Sequence, residues 1–186
     1  MTATPAHASA DSGSTGAAAV ATTTGAPSAP APLDWRTLES FVYREARLQD
    51  EHCYDEWEAL WADDGVYWVP AGQDDIDPRR QVSIIYDNRG RLAGRIRQLK
   101  SGNRHAQKPP SRMRRVVSNL EAEQAGDLIR VWTNFHLTET RNGLRNFWTG
   151  RTLYLLRPRA EGYEMVMKKV MLVENDQPLP TLGFLI

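Results

Sequence analysis

The chain has 186 residues, enough for one domain with a sizeable core, and its 23 basic and 23 acidic side chains cancel, so net charge points neither to nucleic acid nor to an anionic membrane. A single cysteine, Cys53, excludes an internal disulfide, a cysteine-held iron–sulfur cluster and a four-cysteine zinc site. With no charged start leading into an apolar core and no apolar run of about 18 residues, the expectation is a soluble, cytoplasmic chain without secretory signal or membrane span.

Residues 1–32 are almost entirely Ala, Thr, Ser, Gly and Pro, with His7 and one charged side chain, Asp11. Such a stretch buries too little apolar surface to offset the entropy of ordering it, and is expected to be a disordered leader. A single α+β domain is expected over residues 33–186. Asp34 is a suitable N-cap for a helix starting at Trp35, with Leu38, Phe41, Val42 and Leu48 on its apolar side and Glu39 and Glu45 on other faces. After a break near His52 and Cys53, Trp57, Leu60 and Trp61 recur at helical spacing, which predicts a second helix over 54–61 stopped by Asp63-Asp64-Gly65. Val66 to Val69 is a short β-type run closed by Pro70, Gln81 to Tyr86 reads as a strand, and Asn88 to Leu99 as a basic amphipathic helix.

From Ser111 the pattern changes to period two, in four runs: 111–123, 127–138, 144–157 and 163–174. Short breaks at Ala125-Gly126, Arg141-Asn142-Gly143 and 158–162 predict an antiparallel meander. Ile129, Val131, Phe135 and Leu137 alternate with Arg130, Trp132, Asn134 and His136, while Phe147, Leu153 and Leu155 oppose Trp148, Tyr154 and Leu156. Apolar residues on both faces imply a sheet covered on one side by the chain's own helices and on the other by a partner. The apolar stretch 179–186 is expected to pack against the sheet or another subunit.

Charge is unevenly placed. From Asp34 to Asp77 there are 13 acidic residues against Arg36, Arg44 and Arg47, whereas Arg79 to Arg115 holds 12 basic residues against Asp87 alone. The two blocks can pair inside one copy or between copies, and exposed pairs serve orientation more than stability. Arg112, Arg114 and Arg115, with Trp132 and Trp148, are the candidate subunit-interface residues.

For chemistry inside this chain the pattern offers little. His52, His105 and His136 have no metal-ligand spacing, so polar or interface histidines are the default reading. Asp50 or His136 as general base with the Tyr43 hydroxyl would suit a stand-alone isomerase, dehydratase or hydroxylase acting on a small cyclic substrate, and that alternative requires an enclosed pocket of about 300–1,000 Å³ with convergent polar groups. Cys53 reads as an apolar filler rather than a nucleophile. The basic block has Tyr86 as its lone aromatic residue and an acidic counterpart, which argues against nucleic-acid binding.

Four elements in order carry a resemblance. They are Phe41-Val42-Tyr43-Arg44-Glu45-Ala46-Arg47-Leu48-Gln49-Asp50, Tyr54-Asp55-Glu56-Trp57, Tyr67-Trp68-Val69-Pro70, and Ser111-Arg112-Met113-Arg114-Arg115-Val116-Val117-Ser118-Asn119. With the apolar C-terminal stretch, the chain from about Leu33 to Ile186 resembles the small, or β, subunit of Rieske-type aromatic-ring-hydroxylating dioxygenases. The resemblance implies a cone-shaped α+β fold like that of nuclear transport factor 2 and scytalone dehydratase, with helices packed into a strongly curved, mainly antiparallel sheet. It also implies a structural subunit with no catalytic, cofactor-binding or metal-binding residues of its own, assembled with a large α subunit, commonly as α3β3. That α subunit would carry the Rieske 2Fe-2S cluster and the mononuclear Fe(II), and electrons from NAD(P)H would arrive through a reductase and, in some systems, a ferredoxin. The loop Asn103-Arg104-His105-Ala106-Gln107-Lys108 departs from the acidic or aromatic residue many relatives carry there.

Overall fold

The computed structural model describes residues 33–103 and 108–186; the expected leader with His7, and His105 with the rest of 104–107, lie outside the described residues. Asp34 caps α1 (Trp35–Asp50), its side chain accepting from the Thr37 amide at 3.2 Å and from the Thr37 hydroxyl at 2.6 Å. An acceptor here satisfies an amide that has no partner within the helix. The buried stripe of α1 is Leu38, Phe41, Val42, Glu45, Ala46, Leu48, Gln49 and Asp50, so Glu45 lies on the apolar face and not on another one.

The second helix is shorter than its periodicity predicts. Helix α2 covers Tyr54–Glu58, and Trp61 already belongs to strand β1 (Trp61–Pro70). Asp63-Asp64-Gly65 therefore stops no helix. It forms an irregularity in β1, where the parallel register to the last strand jumps between the Trp61 and Val66 pairings. A side chain at Gly65 would meet Trp61 Cε3 at 2.8 Å and the Ala62 carbonyl at 2.9 Å, which explains a glycine there. Helical spacing of Trp57, Leu60 and Trp61 and membership of a buried strand are hard to separate over so short a run.

Strand β2 (Ser83–Asn88) leads into α3 (Arg89–Lys100), whose N-cap Asn88 accepts from the Arg91 amide at 3.0 Å. The strands β3 (Arg112–Ala125), β4 (Leu128–Arg141), β5 (Leu144–Pro158) and β6 (Tyr163–Leu172) form the antiparallel meander. The turn Asn142–Gly143 joins the paired residues Arg141 and Leu144, both its residues at positive φ, the geometry that matches hairpin twist. The sheet order is β2-β1-β6-β5-β4-β3; β1 pairs parallel with β6 and antiparallel with β2.

One face of the sheet is closed. Ile129, Val131, Phe135 and Leu137 of β4 and Trp148, Tyr154 and Leu156 of β5 are buried in one core with Leu38, Phe41, Val42, Trp57, Leu92, Ile96 and Phe184 to Ile186. Trp57, Trp61 and Tyr67 pack edge to face, with ring centroids 5.3 to 6.1 Å apart. The residues between these on the strands, Arg130, Trp132, Asn134, His136, Phe147, Arg151 and Leu153, form the opposite face, where none is fully buried. No helix among the described residues is long and apolar enough to cross a membrane.

Candidate functional site

Between α1 and the sheet the polar side chains of α1 meet those of three strands. Glu45, fully buried, accepts from Trp57 Nε1 at 2.6 Å, from the Tyr154 hydroxyl at 3.1 Å and from Lys168 Nζ at 2.7 Å. Lys168 also donates to Gln49 Oε1 at 2.9 Å. Both members of the Lys168–Glu45 pair are 1 % exposed. Loss of hydration pushes the Lys168 ammonium from its ordinary 10.5 down to about 8, against the attraction of Glu45. Burial, with the Glu45 charge second, pushes the Tyr154 hydroxyl well up, and burial likewise raises that of Tyr67. These two phenols are donors that keep their protons at any ordinary pH.

One turn further along α1, Asp50 accepts from both the Arg115 amide and Arg115 Nε at 2.8 Å, and each side chain of this pair is 5 % exposed. The same guanidinium donates to Gln49 Oε1 and, at 3.3 Å, to the Leu185 carbonyl. Gln49 Nε2 and the Tyr67 hydroxyl donate to the Ile186 carbonyl at 3.2 and 2.7 Å, and the Ile186 amide donates back to Tyr67 at 3.0 Å. The stretch expected to pack against the sheet or another subunit thus lies in this chain's own interior, with Phe184, Leu185 and Ile186 each buried. Glu45, Gln49, Tyr67, Tyr154 and Lys168 are not among the residues singled out by motif spacing. The available signal was helical periodicity: Leu38, Val42, Glu45 and Gln49 fall at i, i+4, i+7 and i+11 on one helical face.

The five candidate interface residues separate. Arg115 pairs inside its own chain, and Trp148 is buried with its ring edge-on to Phe184 (5.6 Å) and its Nε1 donating to Glu139 at 3.4 Å. Both side chains are buried within this chain, because strand alternation turns them to the closed face. Arg112 and Arg114 are exposed, Arg114 donating to the Met113 carbonyl at 3.1 Å. Trp132 is half-buried on the open face, between the Arg130 and Arg151 guanidinium groups at 5.6 and 5.7 Å from its ring. Further along the same face, Phe147 is 58 % exposed and stacks on His136, and Val116 is 68 % exposed. Three ion pairs join the two charge blocks within the copy, Arg89–Glu58, Lys100–Asp55 and Arg115–Asp50.

The acid–base set of the stand-alone enzyme reading does not assemble. Asp50 is held by Arg115, Tyr43 is half-exposed on α1, and His136 lies on the open face with Nδ1 3.0 Å from the Thr149 hydroxyl. His52, at φ 57°, donates from Nε2 to the Ser111 carbonyl at 2.8 Å, which leaves Nδ1 to accept from the Tyr54 hydroxyl at 2.7 Å. Cys53 is half-buried, its thiol 3.8 Å from the Glu51 carbonyl. Among the described residues no three His, Cys, Asp or Glu side chains are placed to hold a metal ion. The cleft of about 830 Å³ beside Asp50, His52, Arg112, Arg114 and Thr138 opens outward and is no enclosed chamber.

Helices followed by a six-stranded, mostly antiparallel sheet closed on one face define a cone-type α+β protein. The fold is shared with an NTF2-like protein of Novosphingobium aromaticivorans (TM-score 0.52, 15 % identity, 76 % of this chain and 82 % of that one). Residues 44–177 match the family described as "Ring hydroxylating beta subunit". The chain is 33 % identical over 143 residues to the 2-halobenzoate 1,2-dioxygenase small subunit of Burkholderia cepacia, covering 74 % of this chain and 86 % of that one. It is similar to the crystal structure of the beta subunit of the benzoate 1,2-dioxygenase of Burkholderia mallei (TM-score 0.66, 29 % identity, 77 % and 93 % covered). The chain belongs to the ring hydroxylating beta subunit family, the β subunits of aromatic-ring dioxygenase complexes, which are oxidoreductases.

Proposed function

We propose that this chain is the structural, non-catalytic β subunit of a cytoplasmic Rieske-type dioxygenase, joining copies of itself and a large α subunit into an α3β3 assembly. The α subunit carries the Rieske 2Fe-2S cluster and the mononuclear Fe(II), and a reductase, with or without a ferredoxin, delivers electrons from NAD(P)H. The observation that carries this reading is the filled interior. Where a stand-alone enzyme of this shape needs an open chamber, the space here holds Trp57, Tyr67, Tyr154, Lys168–Glu45 and Phe184 to Ile186. The similar proteins named above belong to a 2-halobenzoate and a benzoate dioxygenase, which supports a benzoate-type aromatic acid as the substrate of the whole complex. The open sheet face around Trp132, Phe147 and Val116 and the exposed Arg112 and Arg114 are the surfaces proposed for subunit contact.

Co-expression with an iron–sulfur large subunit tests this. Co-purification as a complex near 1:1, which consumes oxygen with benzoate and loses activity when this chain is withheld, is the expected result. A chain that stays monomeric beside that subunit overturns the proposal.

A further inference from the structure

Gly183–Ile186 contacts the rest of the molecule in the way a bound peptide contacts its receptor. Its apolar side chains are buried, and its main chain is gripped by three side chains from separate elements: Gln49 of α1, Tyr67 of β1 and Arg115 of β3. Tyr67 reads both the amide and the carbonyl of Ile186. Phe184 sets its ring edge-on against Trp148. Just before the segment, Asp176, Gln177, Pro178, Pro180 and Thr181 are exposed, so it enters the interior from an arm on the surface.

Gln49 and Arg115 are fixed by bonds that do not involve the segment, and the Tyr67 ring is held edge-on by Trp57 and Trp61. Gln49 Oε1 accepts from Lys168 and Arg115, Lys168 is held by Glu45, and Arg115 by Asp50. A receptor already ordered in this way loses little conformational freedom on taking a ligand. Its polar groups are also matched to one backbone stretch, so a different sequence register would leave buried donors without acceptors.

We propose that the interior is a peptide-binding site that holds Gly183–Ile186 as its intramolecular ligand and accepts the same apolar sequence, Gly-Phe-Leu-Ile, in trans when that segment is withdrawn. The natural source of a segment in trans is a second copy of this chain. Occupancy in cis dominates because the arm keeps its own segment at high effective concentration.

The full chain is folded first, with a specific protease site inserted between the exposed Gln177 and Pro178, and is then cut. The expected fragment, 178–186, stays with the body on gel filtration. It is displaced by excess Thr-Leu-Gly-Phe-Leu-Ile peptide labelled at its amino end, while the body keeps its near-ultraviolet circular dichroism. In the cut chain, Tyr67→Phe, which removes both of its bonds to Ile186, and Gln49→Ala, which removes one bond to Ile186 and the acceptor shared by Lys168 and Arg115, each weaken binding of the labelled peptide about tenfold or more. Collapse of the aromatic circular dichroism as the fragment leaves makes the segment inseparable core and overturns the proposal. So does a fragment that never exchanges, or a scrambled peptide that binds equally well.

Discussion

Replacing Arg115 by Ala is the sharpest probe of how this chain is held together. The change removes the Nε contact to Asp50 at 2.8 Å, the donation to Gln49 and the 3.3 Å contact to the Leu185 carbonyl, and leaves Asp50 only the Arg115 amide. Asp50 stays buried with its charge uncompensated, a situation that costs about 3–5 kcal/mol when one member of a buried pair is deleted. Against a typical stability of about 5–15 kcal/mol this is a large fraction. At roughly 2–4 °C per kcal/mol for a domain of this size, the melting temperature falls by about 6–20 °C. Urea unfolding followed by fluorescence of the six tryptophans measures it, with Arg114→Ala as control. Arg114 is exposed and, among the described residues, its side chain bonds only the neighbouring Met113 carbonyl, so its loss shifts stability by about 0.5 kcal/mol or less. If Arg115→Ala costs under about 1 kcal/mol, or the two variants cost the same, the internal assignment of Arg115 is wrong.

Other outcomes follow from the same geometry. Lys168 is protonated less readily when folded, about 8 against 10.5, so folded protein gives up its proton before unfolded protein does, and stability rises with pH between these values. The full swing is about 3 kcal/mol; above pH 10 the raised Tyr67 and Tyr154 hydroxyls oppose it, because they keep protons the unfolded chain loses. Denaturant titrations from pH 7 to 9.5 should show this slope in the native chain and not in Lys168→Met. Phe147→Asp, on the open face, should abolish co-purification with the large subunit while leaving urea stability within about 0.5 kcal/mol; retained assembly would move the contact elsewhere. Gly65→Ala should lose about 1–3 kcal/mol, since its Cβ falls 2.8 Å from the Trp61 ring and 2.9 Å from a carbonyl, and a neutral result would mean β1 relaxes freely there.

Much of the fold was legible because its signals are local. Asp34 and Asn88 are caps with short side chains that accept from the first helical turn, and both helices start where those residues stand. Asn142-Gly143 marks its hairpin because few residues other than Asn, Asp and Gly tolerate two successive positive φ angles. Alternation over β4 and β5 placed Val131 and Trp132 on opposite faces correctly. The limits appear where two periods coincide over few residues, as at Trp57 to Trp61, and where a polar residue occupies an apolar stripe. A carboxylate is seldom buried, so its charge argues for placing Glu45 on another face. Its position on the stripe was the better guide, since Lys168, 123 residues away, neutralises it. No local signal announces such a partner, and Lys168 itself sits in an apolar strand where either face was open to it.

Whether such an interior can hold a ligand depends on what fills it. The helices and curved sheet enclose a volume, and what fills it decides the outcome. Here α1 contributes Glu45, Gln49 and Asp50 from one face, three groups that in an empty chamber would be available to a substrate. Each is instead engaged: Glu45 by Trp57, Tyr154 and Lys168, Gln49 by Lys168, Arg115 and Ile186, and Asp50 by Arg115. The buried charges are paired as Lys168–Glu45 and Arg115–Asp50, and Phe184 to Ile186 are buried beside them. The same residues that could have made a site make a core, and Trp132 and Phe147 lie on the open face of the sheet, where changing either leaves this network untouched.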